Sequence, residues 1–330
     1  MDPLRLSGPQ FIGLLESGEI HEAVLGSGAR VVVVDGSSLP DRCDGPAEDR
    51  FQTLAALVVA VADDPEARRP EWADLVVAPE SPVLDSVLDT VGTNPLAATT
   101  LAILLRTGRG RTIAQGLVAE STAYGLVQAG PEFALWRRHH PPRVRTDPAG
   151  PAVVATRRDH VLSITLDRPH VLNAFDARMR DDLVAALQVA AVDPTVTSVV
   201  VRGAGRSFCS GGDLDEFGSR PDPVTAHLVR LGRSAGRALA EVAAKTTVHL
   251  HGAAVGSGIE LAAFSGRVVA DPSTTIALPE VRMGLIPGAG GTVSLPRRIG
   301  RHATLLLAVG PASIDAGTAL RWGLVDELGP

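Results

Sequence analysis

Residues 251–292 constrain the chain most, because they contain two glycine-rich turns close to two glutamates. The turns are Gly256-Ser257-Gly258 and Gly288-Ala289-Gly290-Gly291, with Glu260 just after the first and Glu280 just before the second. A glycine turn that runs into a helix exposes backbone N–H groups that no intrahelical carbonyl can satisfy. A carboxylate held beside such donors in apolar surroundings can exchange protons near neutral pH. We therefore expect the rest of the chain to support a site built here.

Strand-like and helix-like segments alternate along the second half of the chain. Residues 198–202 are a valine-rich run of strand length, and residues 176–191 have the spacing of an amphipathic helix. The stretch PPRVRTDPAG at residues 141–150 is proline-rich, polar and without periodicity, so we interpret it as a linker. We therefore expect an α/β core over residues 151–330, preceded by an N-terminal α/β and helical region over residues 1–140.

The N-terminal region has its own strand and helix signals. Residues 30–35 and 73–77 are valine-rich runs of strand length, whereas the apolar run at residues 51–62 is interpreted as a buried helix. Asn94-Pro95 predicts the start of a helix, because Asn can cap and Pro suits the first turn. Helices are expected at residues 84–88, 96–105, 113–127 and 131–138, and a long one in the core at residues 224–243.

Composition narrows the possible partners and the compartment. The net charge of −6 provides no electrostatic attraction to nucleic acid or to an anionic membrane surface. The longest apolar run, residues 53–62, is too short to span a bilayer, and the first residues lack the features of a signal peptide. The two cysteines, Cys43 and Cys209, form no metal-ligand spacing and indicate a reducing compartment. We expect a cytoplasmic protein without a metal site or a membrane partner.

The loop RSFCSGGDL at residues 206–214 is a second place where small residues leave backbone amides free. Gly211 and Gly212 allow a ligand to approach closely, and Asp213 is suited to cap a following helix. Alone, this loop is typical of an ordinary strand-to-helix turn. Together with the Gly256-Ser257-Gly258 turn, it can aim two N–H groups at one point, which is how an oxyanion hole is built.

Five segments of the second half closely resemble the crotonase, or enoyl-CoA hydratase/isomerase, superfamily. They lie in order between residues 153 and 330 and read RDHVLSITLDRPHVLNAFD, SFCSGGDL, AVGSGIELA, PEVRMGLIPGAGGTVSLPRRIG and ALRWGLVDEL. Five matching segments in the right order make the resemblance specific. It implies a crotonase-like α/β core built from repeated ββα units.

The resemblance also implies roles for individual residues. Backbone N–H groups of Gly212 and Ser257 would hold the thioester oxygen of an acyl-CoA, where charge collects when the α-carbon gains or loses a proton. Glu260 and Glu280 match the two glutamates of the hydratases, which share one water and supply base and acid. Gly288 matches the glycine whose amide helps to hold that water. The other positions implied to bind substrate are Phe208, Cys209, Gly211, Asp213, Leu214 and Gly256.

The implied activity is that of an acyl-CoA hydratase/dehydratase, a lyase acting on 2-enoyl-CoA thioesters. No cofactor is implied beyond the coenzyme A of the substrate, and the family implies a homo-oligomer, a trimer or a hexamer. Three alternatives remain open: an enoyl-CoA isomerase, another crotonase-fold acyl-CoA enzyme of secondary metabolism, and a non-catalytic partner subunit that binds CoA esters. The presence of both glutamates favours the hydratase.

Two residues near these loops resemble nucleophiles but are interpreted otherwise. Ser257 lacks the GxSxG pattern of a nucleophile elbow, since Val255 occupies the first glycine position. Cys209 has no histidine placed by the sequence to activate it, so we interpret it as a packing residue. His251, the histidine nearest to the two turns, is also interpreted as a packing residue.

The N-terminal region departs from the family pattern. Family members continue past the position of Leu328 into C-terminal helices that close the acyl-CoA pocket. Here residues 73–138 resemble that helical tail, chiefly in NPLAATTLAILLR and QAGPEFALW. We hypothesise that this segment supplies the tail from the N-terminal side, by permutation or as part of a degenerate duplicated half. The alternative is an unrelated helical N-terminal domain.

Overall fold

The computed structural model describes residues 2–36, 40, 42, 44–65, 70–146, 148–219 and 222–329, so Cys43 lies outside the described residues. The first four strands form a parallel sheet in chain order, with valine and leucine side chains buried on both faces as such a sheet requires. These strands are β1 (Leu4–Leu6), β2 (Val31–Asp35), β3 (Leu57–Val61) and β4 (Leu75–Val77). The helices between them are α1 (Gly8–Ser17), α2 (Ile20–Ser27) and α3 (Pro46–Gln52).

The strand β3 shows that the helix predicted over residues 51–62 was wrong. Helix α3 ends at Gln52, and β3 pairs with β2 on one side and β4 on the other. An apolar run of this length fits a buried helix and a central parallel strand equally well by periodicity, and its three valines favour the strand. The strands predicted over residues 30–35 and 73–77 are confirmed as β2 and β4.

Four helices follow the N-terminal sheet and confirm the helices predicted there: α4 (Pro82–Thr93), α5 (Pro95–Arg106), α6 (Ile113–Gln128) and α7 (Pro131–His139). Three of them begin with proline, and α6 begins with a capping box formed by Thr112 and Gln115. Among the described residues, no single helix is long and apolar enough to cross a membrane. Helices α4 and α5 together have the length and apolar composition of a membrane span, but the chain bends by 112° between them.

Among the described residues of the second half, nine strands form two sheets. In chain order, β5 to β13 are Val153–Arg158, Val161–Leu166, Ser198–Gly203, Thr246–Leu250, Ala253–Val255, Arg267–Ala270, Thr275–Ala277, Ile314–Asp315 and Glu327–Leu328. The larger sheet has the order β13-β10-β8-β7-β6-β5, in which only the β5–β6 hairpin is antiparallel. The smaller sheet has the order β12-β11-β9. This is the mixed α/β core that was expected.

Six helices accompany these strands: α8 (Ala177–Val192), α9 (Pro223–Gly232), α10 (Ala235–Glu241), α11 (Ser257–Ala262), α12 (Gly291–Val309) and α13 (Ala316–Trp322). The single helix predicted over residues 224–243 is wrong, because it is divided into α9 and α10. Ser234 has extended backbone angles and caps α10 by accepting the N–H of Arg237, so the chain turns there.

The N-terminal half and the core share one hydrophobic cluster. Leu101 of α5 and Tyr124 of α6 belong to the same buried cluster as Val293 and Leu305 of α12. A buried ion-pair group also joins the halves. Arg106 Nε donates to Asp74 Oδ1 at 2.7 Å, and Arg301 Nη1 of α12 lies 3.4 Å from the same oxygen. The N-terminal helices are therefore packed directly onto the core.

Candidate active site

One cavity lies where helix α6 meets the core. Its wall is formed by α6, the start of α8, the loop after β7, α9, α10, the start of α11 and the segment before α12. Five residues that come from three separate segments of the sequence line it together: Gly212, Ser257, Glu260, Glu280 and Gly288.

The loop after β7 presents Gly212 to the cavity. The N–H of Phe175 donates to Gly211 O at 2.8 Å and the N–H of Asp213 donates to Phe175 O at 2.9 Å, so the loop is held from both sides. A Cβ on Gly212 would stand 2.6 Å from the ring of Phe217, a contact that only glycine avoids. The Gly212 backbone is therefore fixed in place with its amide at the cavity wall.

The turn between β9 and α11 presents Ser257. Gly256 has a φ of +48°, which disfavours a residue with a side chain, and its N–H donates to Ala277 O at 2.9 Å. Ser257 is the first residue of α11, so its N–H has no intrahelical acceptor. Within the described chain, no acceptor is found for the N–H of either Ser257 or Gly212. Two free amides from separate loops thus line one cavity.

Glu260 is buried in the first turn of α11. Its Oε2 accepts the N–H groups of Ala289 and Gly291, each at 2.8 Å. Burial raises the pKa of Glu260 well above its usual range, and the nearby charge of Glu280 raises it further. Its carboxyl group is therefore held at one oxygen, and its protonated form is favoured more than that of an exposed glutamate.

Glu280 begins a short 3-10 turn, Glu280–Met283, and its side chain points back at the first glycine turn. Its Oε1 is 2.3 Å from where a Cβ on Gly256 would stand. Its Oε2 is buried and has no hydrogen-bond partner among the described residues. Burial raises the pKa of Glu280 to about 7. A buried carboxyl oxygen without a partner is costly unless a ligand or water serves it, which is typical of functional sites.

A third buried glutamate, Glu120, comes from the middle of α6. Its Oε1 accepts the N–H of Gly290 at 2.7 Å, and its Oε2 accepts the N–H of Thr292 at 2.9 Å and the Thr292 hydroxyl at 2.7 Å. Burial raises the pKa of Glu120 to about 7. Glu260 and Glu120 therefore bind four consecutive amides, residues 289–292, in alternation at the N-terminus of α12, where anions are favoured.

The sequence interpretation missed Glu120. Its helix was predicted, but no glycine turn or motif adjoins the residue. The available signal was an acid among the small, apolar residues of LVAESTAYG, on a helix whose burial could not be established without the core.

Gly288 lies beneath an aromatic ring. A Cβ on Gly288 would stand 2.5 Å from ring carbons of Tyr124, which is also on α6. Arg230 of α9 stacks on that ring, with its Cζ 4.6 Å from the ring centroid. The position predicted to hold the water is thus enclosed by a side chain from the N-terminal half.

The remaining residues predicted to bind substrate are distributed differently. Asp213 lines the cavity, but its carboxylate pairs with Arg145 and Arg168 instead of capping a helix. Burial raises the pKa of the Cys209 thiol to about 11, in keeping with a packing residue. Five of the residues are outside the cavity wall: Phe208, Cys209, Gly211, Leu214 and Gly256.

Comparison with known proteins shows the family to which the second half of the chain is similar. The family model described as enoyl-CoA hydratase/isomerase matches residues 156–330. The 2,3-dehydroadipyl-CoA hydratase of Escherichia coli (strain K12) is 33% identical over 178 residues, which cover 54% of this chain and 69% of that protein. The 1,2-epoxyphenylacetyl-CoA isomerase of the same strain is 34% identical, with coverage of 50% and 64%.

Solved structures give the same result for the fold. The crystal structure of enoyl-CoA hydratase from Thermoplasma volcanium GSS1 has a TM-score of 0.50 at 31% identity, and the match covers 55% of this chain and 72% of that chain. The matched part is a little over half of the sequence and contains both free amides, Glu260 and Glu280. The chain therefore belongs to the enoyl-CoA hydratase/isomerase family.

Proposed function

We propose that the chain catalyses the reversible addition of water to a 2-enoyl-CoA thioester. One observation carries the proposal: two buried glutamates, Glu260 and Glu280, line the same cavity as the free amides of Gly212 and Ser257. Hydration needs an acid, a base and a site for negative charge on the thioester oxygen, and these residues supply all three.

The chemistry follows from the raised pKa values of the two glutamates. The thioester oxygen accepts the N–H groups of Gly212 and Ser257, which stabilise the enolate that forms. Like charges and burial disfavour two ionised carboxyls side by side, so the pair holds one proton near neutral pH. The ionised member takes a proton from water as its oxygen bonds to C3, and the protonated member delivers a proton to C2. Hydrogen and hydroxyl are thus added across the double bond.

Isomerisation of a 2-enoyl-CoA is the second candidate. Glu280 has a free, buried Oε2, whereas Glu260 is anchored by two amides, so Glu280 alone can carry a proton between two carbons of the acyl chain. One relative named above is an isomerase. In either reaction, the ligand is an acyl-CoA and the enolate is held at the same two amides.

Activity measurements on glutamine variants test the proposal. Loss of the conjugated thioester absorbance would report hydration, and analysis of the product would separate a 3-hydroxyacyl-CoA from a shifted double bond. Glu260→Gln and Glu280→Gln are each expected to lower kcat by about 10²–10⁴-fold, because each removes one proton-transfer group. Glu241→Gln, at an exposed glutamate of α10, is the matched control and should retain full activity. Hydration that survives both active-site substitutions would contradict the mechanism.

A further inference from the structure

The two ends of the cavity are chemically different. One end is formed by Phe175, Ala177 and Arg180, and it adjoins the oxyanion loop because Phe175 is hydrogen-bonded to Gly211. The other end is formed by α6 and α9 and lies next to the glutamates. In the binding mode that the proposed function implies, a thioester whose oxygen is bound at Gly212 directs its coenzyme A toward the first end and its acyl chain toward the second.

Tyr124 and Arg230 occupy the acyl end. The Tyr124 ring packs on Gly288, close enough to the active-site acids for their charges to raise the pKa of Tyr124 in addition to the larger effect of burial. Arg230 stacks on this ring. The neighbouring wall includes the apolar residues Leu117 and Val229 and the polar residues Ser121 and Gln128. A cationic side chain thus lines the cavity on the side formed by α6 and α9, next to both apolar and polar groups.

Helix α6 holds the Arg230 side chain in one orientation. Arg230 Nε donates to Ser121 Oγ at 3.0 Å, and Nη2 donates to Ser121 O at 3.3 Å. His227 Nδ1 lies 2.9 Å from the same hydroxyl oxygen and fixes it from the other side. These bonds use two of the five N–H groups of the guanidinium. The remaining donors are preorganised for a ligand in the cavity.

Among the residues that the structure describes, Arg230 forms no ion pair. Glu120 attracts it from a greater distance, but the Glu120 oxygens accept from Gly290 and Thr292. Burial lowers the pKa of Arg230, which shows that the cation has lost part of its hydration. A half-buried cation of this kind is stabilised by an anion that enters the cavity.

We propose that Arg230 binds a carboxylate at the far end of the acyl chain, so that the substrate is a CoA half-thioester of a dicarboxylic acid. This inference rests on the proposed function for the orientation of the ligand. The planar guanidinium can bind a carboxylate through two parallel hydrogen bonds. A plain alkyl chain would cover Arg230 without offering an acceptor, which weakens binding. Arg230 discriminates between acyl chains and takes no part in the chemical step.

Binding of unreactive ligands tests the inference separately from the reaction. The ligands are saturated dicarboxylic half-thioesters of CoA with four to eight carbons, each paired with the alkanoyl-CoA of the same length. Titration calorimetry on the full chain is expected to show that one or more of the dicarboxylic ligands bind about 10- to 100-fold more tightly than their alkyl partners. Equal binding at every length would overturn the inference.

Two arginine variants complete the test. Arg230→Met should abolish the preference by weakening only the dicarboxylic ligands, and Arg230→Lys should restore part of it because the charge remains. Arg180→Met, at the coenzyme A end, is the matched control and should leave the preference unchanged. An Arg230→Met variant that weakens both ligands equally would assign Arg230 to the phosphates of coenzyme A and refute the inference. If the dicarboxylic ligands bind more tightly but the corresponding 2-enoyl-CoA thioesters are not hydrated, the proposed function is refuted and the inference about Arg230 is not.

Discussion

Glu120, Glu260 and Glu280 are buried in one cavity, and burial raises the pKa of each carboxyl group. The family motifs account for Glu260 and Glu280, because both lie within continuous segments that the sequence displays. Glu120 could not be predicted, because its role depends on the contact between α6 and the start of α12. That contact joins residues about 170 positions apart, and no local pattern encodes it.

The raised pKa values predict that stability falls as pH rises. Glu120 and Glu280 each have a pKa near 4.5 in the unfolded chain and about 7 in the fold, so the native state binds more protons between these values. Stability is then greatest below about pH 4.5 with respect to these groups and is lost as pH rises through about 7. Glu120→Gln should reduce this slope by up to about 1.4 kcal/mol per pH unit, because one proton no longer contributes.

Urea unfolding between pH 5 and pH 8 measures this slope. The change of stability with pH is compared, and not the stability at one pH, because Glu120→Gln also replaces a hydrogen-bond acceptor and lowers stability at every pH. Glu241→Gln is the control at an exposed site and should preserve the wild-type slope. A Glu120→Gln slope equal to that of the wild type would show that Glu120 does not titrate with the fold.

The helices of the N-terminal half were easier to predict than its strand β3. Helices α4 to α7 start at prolines or at a capping box, and these local signals depend little on tertiary contacts. Strand β3 has no such signal, and its identity is decided by pairing with β2 and β4. The break between α9 and α10 does have a local signal in its cap, Ser234, but it was missed because the apolar pattern continues across it.

The contact between α6 and α12 gives a prediction about packing. A Cβ on Gly116 would stand 2.8 Å from Val293 Cγ2, so Gly116→Ala should push the helices apart and destabilise the fold by about 1–3 kcal/mol. Gly92 in α4 has no atom within 4 Å of its Cβ position, so Gly92→Ala is the matched control. It should raise stability by about 0.5–1 kcal/mol, because alanine favours a helix.

A second substitution checks the physical cause. Val293→Ala should recover part of the stability lost in Gly116→Ala, since it removes the methyl group that clashes. The unfolding free energies of the single and double variants form a cycle that measures this coupling. If the two substitutions have additive effects on the unfolding free energy, the stability lost in Gly116→Ala does not come from the contact with Val293.

At the scale of the whole molecule, the resemblance to the family predicted the core but not helix α6, which closes one side of its cavity. The motifs place the two amides and two acids, and the structure brings them to one cavity. The cover comes from α6, which contributes Glu120, Ser121 and Tyr124. Helical propensity identified α6, but its docking depends on surfaces that only the folded core presents. The hypothesis that this region stands in for the family's C-terminal helices stays a prediction.

The dependence of the core on the N-terminal half can be measured by dividing the chain. Residues 151–330 expressed alone should fail to form a stable, active protein, because the buried face of α12 and the amides of Gly290 and Thr292 lose their partners. Co-expression with residues 1–150 as a separate chain should restore activity. A stable and active fragment of residues 151–330 would refute this dependence and favour an unrelated N-terminal domain.

The order of these elements along the chain has a consequence for biosynthesis. Helix α6 leaves the ribosome roughly 180 residues before α12, the helix against which it packs. At a translation rate of about 5–20 residues per second, the apolar face of α6 and Glu120 stay exposed to solvent for on the order of ten to thirty seconds before α12 is available. Helix α6, which will form one wall of the cavity, must therefore stay soluble in the nascent chain until α12 has been synthesised.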